Sequence, residues 1–106
     1  MSDLKELTQA MHRFVASKGW YEPGSPRQQT ARNLAISLNL EAAEVLEHFQ
    51  WSEDSPDREA LAGELADVAL YLLQLASIHE IDLEQAIYAK LQENYGRSWD
   101  SPQPQA

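Results

Sequence analysis

Between residues 34 and 75 the chain carries two successive runs of apolar side chains at helical spacing, and two i,i+3 pairs of carboxylates, Glu41 with Glu44 and Glu64 with Asp67, stand among them. Projected at about 100° per residue, Leu34, Leu38, Val45 and Phe49 form one stripe, with Glu41 in its middle and Glu44 and His48 just to one side. In the second run Leu61, Leu65, Val68, Leu72 and Leu75 form the stripe, and Glu64, Tyr71 and, farther round, Asp67 flank one edge of it. Residues three apart share a helix face, so Glu41 with Glu44 and Glu64 with Asp67 can each present their oxygens to one point. A carboxylate at a core-facing position costs several kcal/mol unless it is paired, protonated or bound to a metal. Glu41 is therefore expected to be paired, protonated or bound to a metal.

The rest of the chain reads as further helix. Residues 3–18 open with the Asp3/Glu6 spacing of a capping box, carry Leu4, Leu7, Met11, Phe14 and Val15 on one stripe, and end at Gly19. Trp20 to Gly24 has no periodicity and is a loop whose aromatics, Trp20 and Tyr21, serve as a lid or as a plug for the bundle end. Ser25-Pro26, with Gln28 completing a box, predicts a second helix running to about Gln50. Ser55-Pro56 repeats the signal for a third helix of roughly two dozen residues. That third segment is apolar nearly all round, since Leu70 and Leu73 occupy its other side, as in helices buried centrally or between subunits. Asp82 with Gln85 caps a fourth, which holds Leu83, Ile87 and Leu91 on one side and ends near Tyr95-Gly96. No hairpin signal, solenoid repeat or Gly-rich phosphate loop occurs. The expected fold is all-α, a bundle of four main helices in one domain over residues 1–97, followed by a flexible Pro/Gln-rich tail at 98–106.

Composition narrows the function. Seventeen Asp and Glu against eight Lys and Arg give a net charge of -9, which argues against coating a nucleic-acid polymer. From Glu41 to Ala89 there are twelve acids and one base, Arg58, a field that attracts cations. The absence of cysteine excludes disulfides, thiolate metal sites and cysteine nucleophiles. The opening Met-Ser-Asp-Leu-Lys-Glu lacks the apolar run of a signal peptide, and no stretch is expected to span a membrane, so a cytoplasmic location is expected.

Four facing carboxylates repel, each pair by about 4 kcal/mol at about 4 Å and an effective dielectric near 20. Two divalent cations would cancel their charge. Magnesium suits an all-oxygen ligand set, with manganese as a substitute. A di-iron centre would add a Glu-x-x-His unit on each of two helices, and none is present.

Glu41-x-x-Glu44, nineteen intervening residues and Glu64-x-x-Asp67 resemble the ExxE…ExxD signature of the all-α nucleoside triphosphate pyrophosphohydrolases, the MazG-like and dCTP pyrophosphatase group. Arg32-Asn33-Leu34, the Phe49-Gln50-Trp51 run, Tyr71, Ile81-Asp-Leu-Glu and the Lys90 to Asn94 segment extend the likeness over residues 32–94. The resemblance implies magnesium-dependent hydrolysis of a nucleoside triphosphate to the monophosphate and pyrophosphate, a house-cleaning reaction, with Glu41, Glu44, Glu64 and Asp67 as metal ligands and catalytic acids. It implies phosphate contacts from Lys90 and Arg32, base stacking or cover from Trp51 and Trp20, and nucleotide contacts from Asn33, Tyr71 and Asn94. It also implies a homodimer or homotetramer whose sites borrow residues across the interface. The competing reading is a helical dimerisation or regulatory module with a decayed site.

This chain departs from the dCTP-directed members where a Phe-His segment would precede the Arg32-Asn33-Leu34 run, having Gln28-Gln29-Thr30-Ala31 instead. A family pocket histidine aligns with Met11, with His12 one step round, and the loop from Trp20 to Arg32 is longer. Base preference does not transfer.

Overall fold

The computed structural model describes residues 3–54 and 57–98. Helix starts are set by short acceptor side chains that satisfy otherwise orphaned backbone N–H groups. Asp3 accepts from Glu6 N at 2.9 Å and opens α1 (Leu4–Ser17). Asp82 does the same for Gln85 N at 3.1 Å and opens α4 (Leu83–Tyr95), which Gly96 closes. Both starts and the fourth helix's end fall where the sequence placed them.

The second helix does not begin at Ser25-Pro26. It is α2 (Ala31–Glu47), capped by Thr30, whose hydroxyl accepts from Asn33 N at 3.2 Å. Ser25 instead accepts from Arg27 N at 3.0 Å in a tight turn. Gln28, expected to complete a capping box, folds its amide back onto the carbonyls of Glu22, Pro23 and Ser25. The same residue types thus build a turn first and a helix five residues later.

The third helix, α3 (Arg58–Ile78), takes Asp57 as its cap, with Ala60 N donating to Asp57 Oδ1 at 3.0 Å. The proposed start at Ser55-Pro56 lies outside the described residues, as do Trp99 and the tail after Ser98. By length and composition α3 could cross a membrane, with a mean hydropathy of 1.4, which corrects the expectation that no stretch is long and apolar enough. Glu64 and Asp67 stand within it, and α2 packs along it.

The rotation of α3 also differs from the apolar projection. Partial cover runs through Leu61, Glu64, Val68, Tyr71 and Leu75, the buried Leu73 and Gln74 lie to other sides, and Leu65 and Leu72, expected in the stripe, are exposed. A helix apolar on nearly every side has no single face that burial must choose. The described helices are α2 along α3 with α1 crossing α3, around a core of Met11, Val15, Leu34, Leu73 and the amide of Gln74. Helix α4 buries no residue, and Ile87, Tyr88 and Leu91 on it are exposed.

Candidate functional site

Glu41 occupies the position that packing explains least. Helix α2 is buried at Leu34 and opens progressively toward Phe49, so Glu41, three turns in from Thr30, is half-buried against α3. Its Oε2 is buried and has no hydrogen-bond partner. Its pKa is pushed up to about 7, first by a proton-sharing contact with Glu44, then by burial, then by the charges of Glu44, Asp67 and Glu64. The two helices therefore bring Glu44, Asp67 and Glu64 within electrostatic reach of Glu41.

The four do not form a ready-made cage. Among the described residues no three His, Cys, Asp or Glu side chains are set to hold one ion. Glu44 and Asp67 are exposed, and the repulsion is relieved in two other ways. One is the contact between Glu41 and Glu44. The other is His48, whose Nε2 lies against Glu64 Oε2, an ion pair when the imidazole is protonated, but off the line a hydrogen bond needs.

Asp67 joins the acids to a cleft of about 620 Å³, a volume suited to a small ligand. One wall is α1, through Leu7, Met11, Phe14 and Val15; the floor comes from Asn33, Leu34 and Ser37 of α2 and Asp67, Tyr71 and Gln74 of α3. The remaining wall is the loop, through Trp20, Arg27, Gln28 and Gln29. Trp20 stands edge-on to Phe14 at 5.7 Å between ring centres. Its backbone is tied to α1, where Trp20 N donates to Val15 O at 3.4 Å.

A polar relay holds the loop to the helices. Buried Gln74 donates from Nε2 to Gln29 Oε1 at 2.8 Å and to the Tyr21 hydroxyl at 3.3 Å. Tyr21 in turn meets His12 Nδ1, and His12 Nε2 meets Ser77 Oγ at 2.7 Å. The neutral imidazole has one donor and one acceptor nitrogen, so His12 links the Tyr21 and Ser77 hydroxyls through both sides of its ring. Burial raises the Tyr21 hydroxyl pKa, with the Gln74 hydrogen bond opposing. Met11, aligned with the family's pocket histidine, is buried at the cleft, whereas His12 turns into this relay.

Of the substrate candidates, Asn33, Tyr71 and Trp20 line the cleft and Arg32, Trp51, Lys90 and Asn94 do not. Trp51 is 90% exposed just beyond α2, so it does not pack in the core of its own chain. Lys90 is paired with Glu93 of its own helix at 3.4 Å, an exposed bridge of small energetic consequence. Asn94 is half-buried on α4, and Arg32 is exposed. Arg27, Gln29 and Gln74 had no signal in spacing, because the bonds of Gln74 span 45 and 53 residues.

Comparison with known proteins agrees with this arrangement. The model of the MazG-like family matches residues 36–100, more than half of the chain. The chain is 33% identical over 103 residues to the mouse protein named dCTP pyrophosphatase 1 and 34% identical to the human protein of that name. These matches cover 89% of this chain but 58% of each relative's length. A crystal structure of a pyrophosphatase from Archaeoglobus fulgidus superposes with a TM-score of 0.72 at 33% identity, covering 89% of this chain and 90% of that one. With the all-helical architecture and the paired acids already in place, the chain belongs to the MazG-like family.

Proposed function

We propose that the protein is a nucleotide pyrophosphohydrolase that converts a (deoxy)nucleoside triphosphate to the monophosphate and pyrophosphate with magnesium, for which manganese can substitute. The observation that carries this reading is Glu41, with a buried, unpartnered oxygen and three further carboxylates around it, one of which, Asp67, lines a nucleoside-sized cleft. An orphaned carboxylate oxygen in a cluster of acids fits a hard divalent cation better than any neutral partner. Glu41, Glu44, Glu64 and Asp67 would hold it. Bound there, magnesium supplies charge neutralisation for the phosphates and a lowered pKa for water.

The chain's own residues do the rest. Asp67 stands both in the acid cluster and on the cleft wall, so it fixes where the phosphates end and the nucleoside begins. Trp20, Tyr71 and Asn33 enclose the nucleoside. Arg32, Trp51, Lys90 and Asn94 lie away from the cleft of their own chain, and α4 leaves Ile87, Tyr88 and Leu91 uncovered. A second copy of the chain packed on α4 would cover these side chains and deliver Lys90 and Asn94 to a neighbouring site, in a homodimer or homotetramer. The names of the relatives support the same chemistry, and the net charge is unsuited to nucleic-acid polymers.

The test is release of pyrophosphate and monophosphate from a panel of standard, deoxy- and modified triphosphates with magnesium. Glu41→Gln and Asp67→Asn should each lower turnover by about a thousandfold, the loss expected when several kcal/mol of metal-borne charge stabilisation disappears. Full activity in either variant, or no turnover across the panel by the unaltered protein, would overturn the proposal.

A further inference from the structure

The cleft has one cationic side chain among its lining residues, Arg27, and one anionic, Asp67. Their separation follows from the relay. Gln74 lies seven residues after Asp67 on α3, about 10 Å along the axis. Gln74 Nε2 donates to Gln29 Oε1 at 2.8 Å, and Gln29 Nε2 donates to the Arg27 carbonyl at 2.7 Å. Arg27 is thereby anchored near the end of the cleft remote from the acids.

Its backbone is fixed, and its head group is available. Arg27 N donates to Ser25 Oγ at 3.0 Å, and the guanidinium lies over the Trp20 ring with 5.4 Å between Cζ and the ring centre. Acids outnumber Lys and Arg by seventeen to eight, yet among the described residues no carboxylate or carbonyl accepts from this guanidinium. Attraction to the indole face holds the cation at the cleft wall, and the N–H groups of the guanidinium remain without an acceptor among the described residues.

We propose that Arg27 is a specificity-determining residue that grips a nucleobase presenting two adjacent hydrogen-bond acceptors on one edge. This rests on the nucleotide reading above. With phosphates at the Asp67 end, the part of a nucleotide that reaches the Arg27 end is the base. A guanidinium offers two parallel donors, which match two neighbouring acceptors bidentately. Cytosine has such a pair in O2 and N3, and guanine has one in O6 and N7. Along the edges of adenine and thymine, donors alternate with acceptors, so only one bond of the fork can form.

The experiment measures kcat/KM for dCTP, dGTP, dATP and dTTP with the full chain and with Arg27→Lys and Arg27→Met. Calorimetric titration of the four matching monophosphates without metal runs alongside. The unaltered protein should prefer dCTP or dGTP, the panel deciding which. In both variants that preference over dATP and dTTP should fall by about 5- to 150-fold, the discrimination of one bidentate arginine contact. Lysine keeps the charge but loses the fork, so preservation of selectivity in Arg27→Lys overturns the proposal in favour of a plain anion contact. An equal loss on all four substrates, or a native preference for dATP or dTTP, overturns it too. If the unaltered protein hydrolyses nothing, the hydrolase reading fails alone and the titrations decide. Tighter binding of dCMP or dGMP that Arg27→Met removes supports base recognition, and unselective or absent binding refutes it. Circular dichroism of the variants confirms that the exposed substitution leaves the helices intact.

Discussion

Helices α1 to α3 and helix α4 answer differently to burial. The first three enclose Met11, Val15, Leu34, Leu73 and Gln74 and shape a cleft within one chain; α4 is as well capped as any of them and buries nothing. Capping is local and sets where a helix begins, whereas stability comes from covering its apolar face. The difference therefore teaches that the cleft is built within the chain by α1, α2, α3 and the loop after α1, while α4 leaves Ile87, Tyr88 and Leu91 uncovered. Leu34→Ala should break the cleft most severely, lowering unfolding free energy by about 2–5 kcal/mol in urea titrations through transfer and cavity terms. Leu91→Ala, on an exposed face, should cost under about 1 kcal/mol at concentrations where the chain is dissociated. Equal costs would erase the contrast.

The second prediction places a charge on the uncovered face. Ile87→Glu should weaken self-association by roughly 30-fold or more, as expected for burying an unpaired carboxylate at an interface. Light scattering should then report a particle near 12.0 kDa, where the unaltered chain should give a larger one. Turnover should fall with it, because Lys90 and Asn94 lose their route to a cleft that their own chain does not give them. An unaltered chain that runs as a 12 kDa particle would mean that α4 is uncovered by design and that the site is complete without it.

How much of this could be read beforehand depended on whether the cause was local. The caps at Asp3 and Asp82 were legible because each acts three residues away, and the acid pairs were legible because i and i+3 share a face. The start of α2 was misplaced since Ser25, Gln28 and Thr30 offer the same acceptor chemistry, and only the finished loop shows that Gln28 is engaged by three carbonyls. The rotation of α3 was hidden by its apolar surplus. The cleft's far wall was invisible because Gln29, Gln74 and Tyr21 meet only after the chain has folded.

The acid cluster also separates the two states of the site by pH. Glu41 has an ordinary pKa of 4.5 and a folded value of about 7, so the folded chain holds this proton more tightly than the unfolded chain. The stability this group lends is complete below 4.5 and is lost as pH rises through 7. Without metal, Tm should therefore fall between pH 5 and 8, and Glu41→Gln should flatten that fall. Added magnesium should raise Tm most at the alkaline end, where the carboxylates are free of protons. A Tm that rises with pH over this window in chelator, and does so identically in Glu41→Gln, would show that the proton is not held where the geometry puts it.

The smallest expected effect comes from comparing the ends of α1 and α3, which close with the same hydrogen-bond pattern. In α1, Trp20 N donates to Val15 O at 3.4 Å and Gly19 N to Ala16 O at 3.0 Å, with Gly19 at φ 74°. In α3, Ile81 N donates to Ala76 O and Glu80 N to Ser77 O, both at 2.9 Å, with Glu80 at φ 56°. The left-handed position costs a residue with a Cβ about 1–2 kcal/mol, and glycine escapes that while losing some chain entropy on folding. Glu80→Gly should thus stabilise the chain by about 0.5–1 kcal/mol, read as a higher urea midpoint at unchanged slope. Gly19→Ala should shift the midpoint the other way by a similar amount, since no atom lies within 4 Å of an added Cβ there and only the backbone conformation is penalised. If both substitutions lower the midpoint, Glu80 is held in that conformation by something other than the helix end.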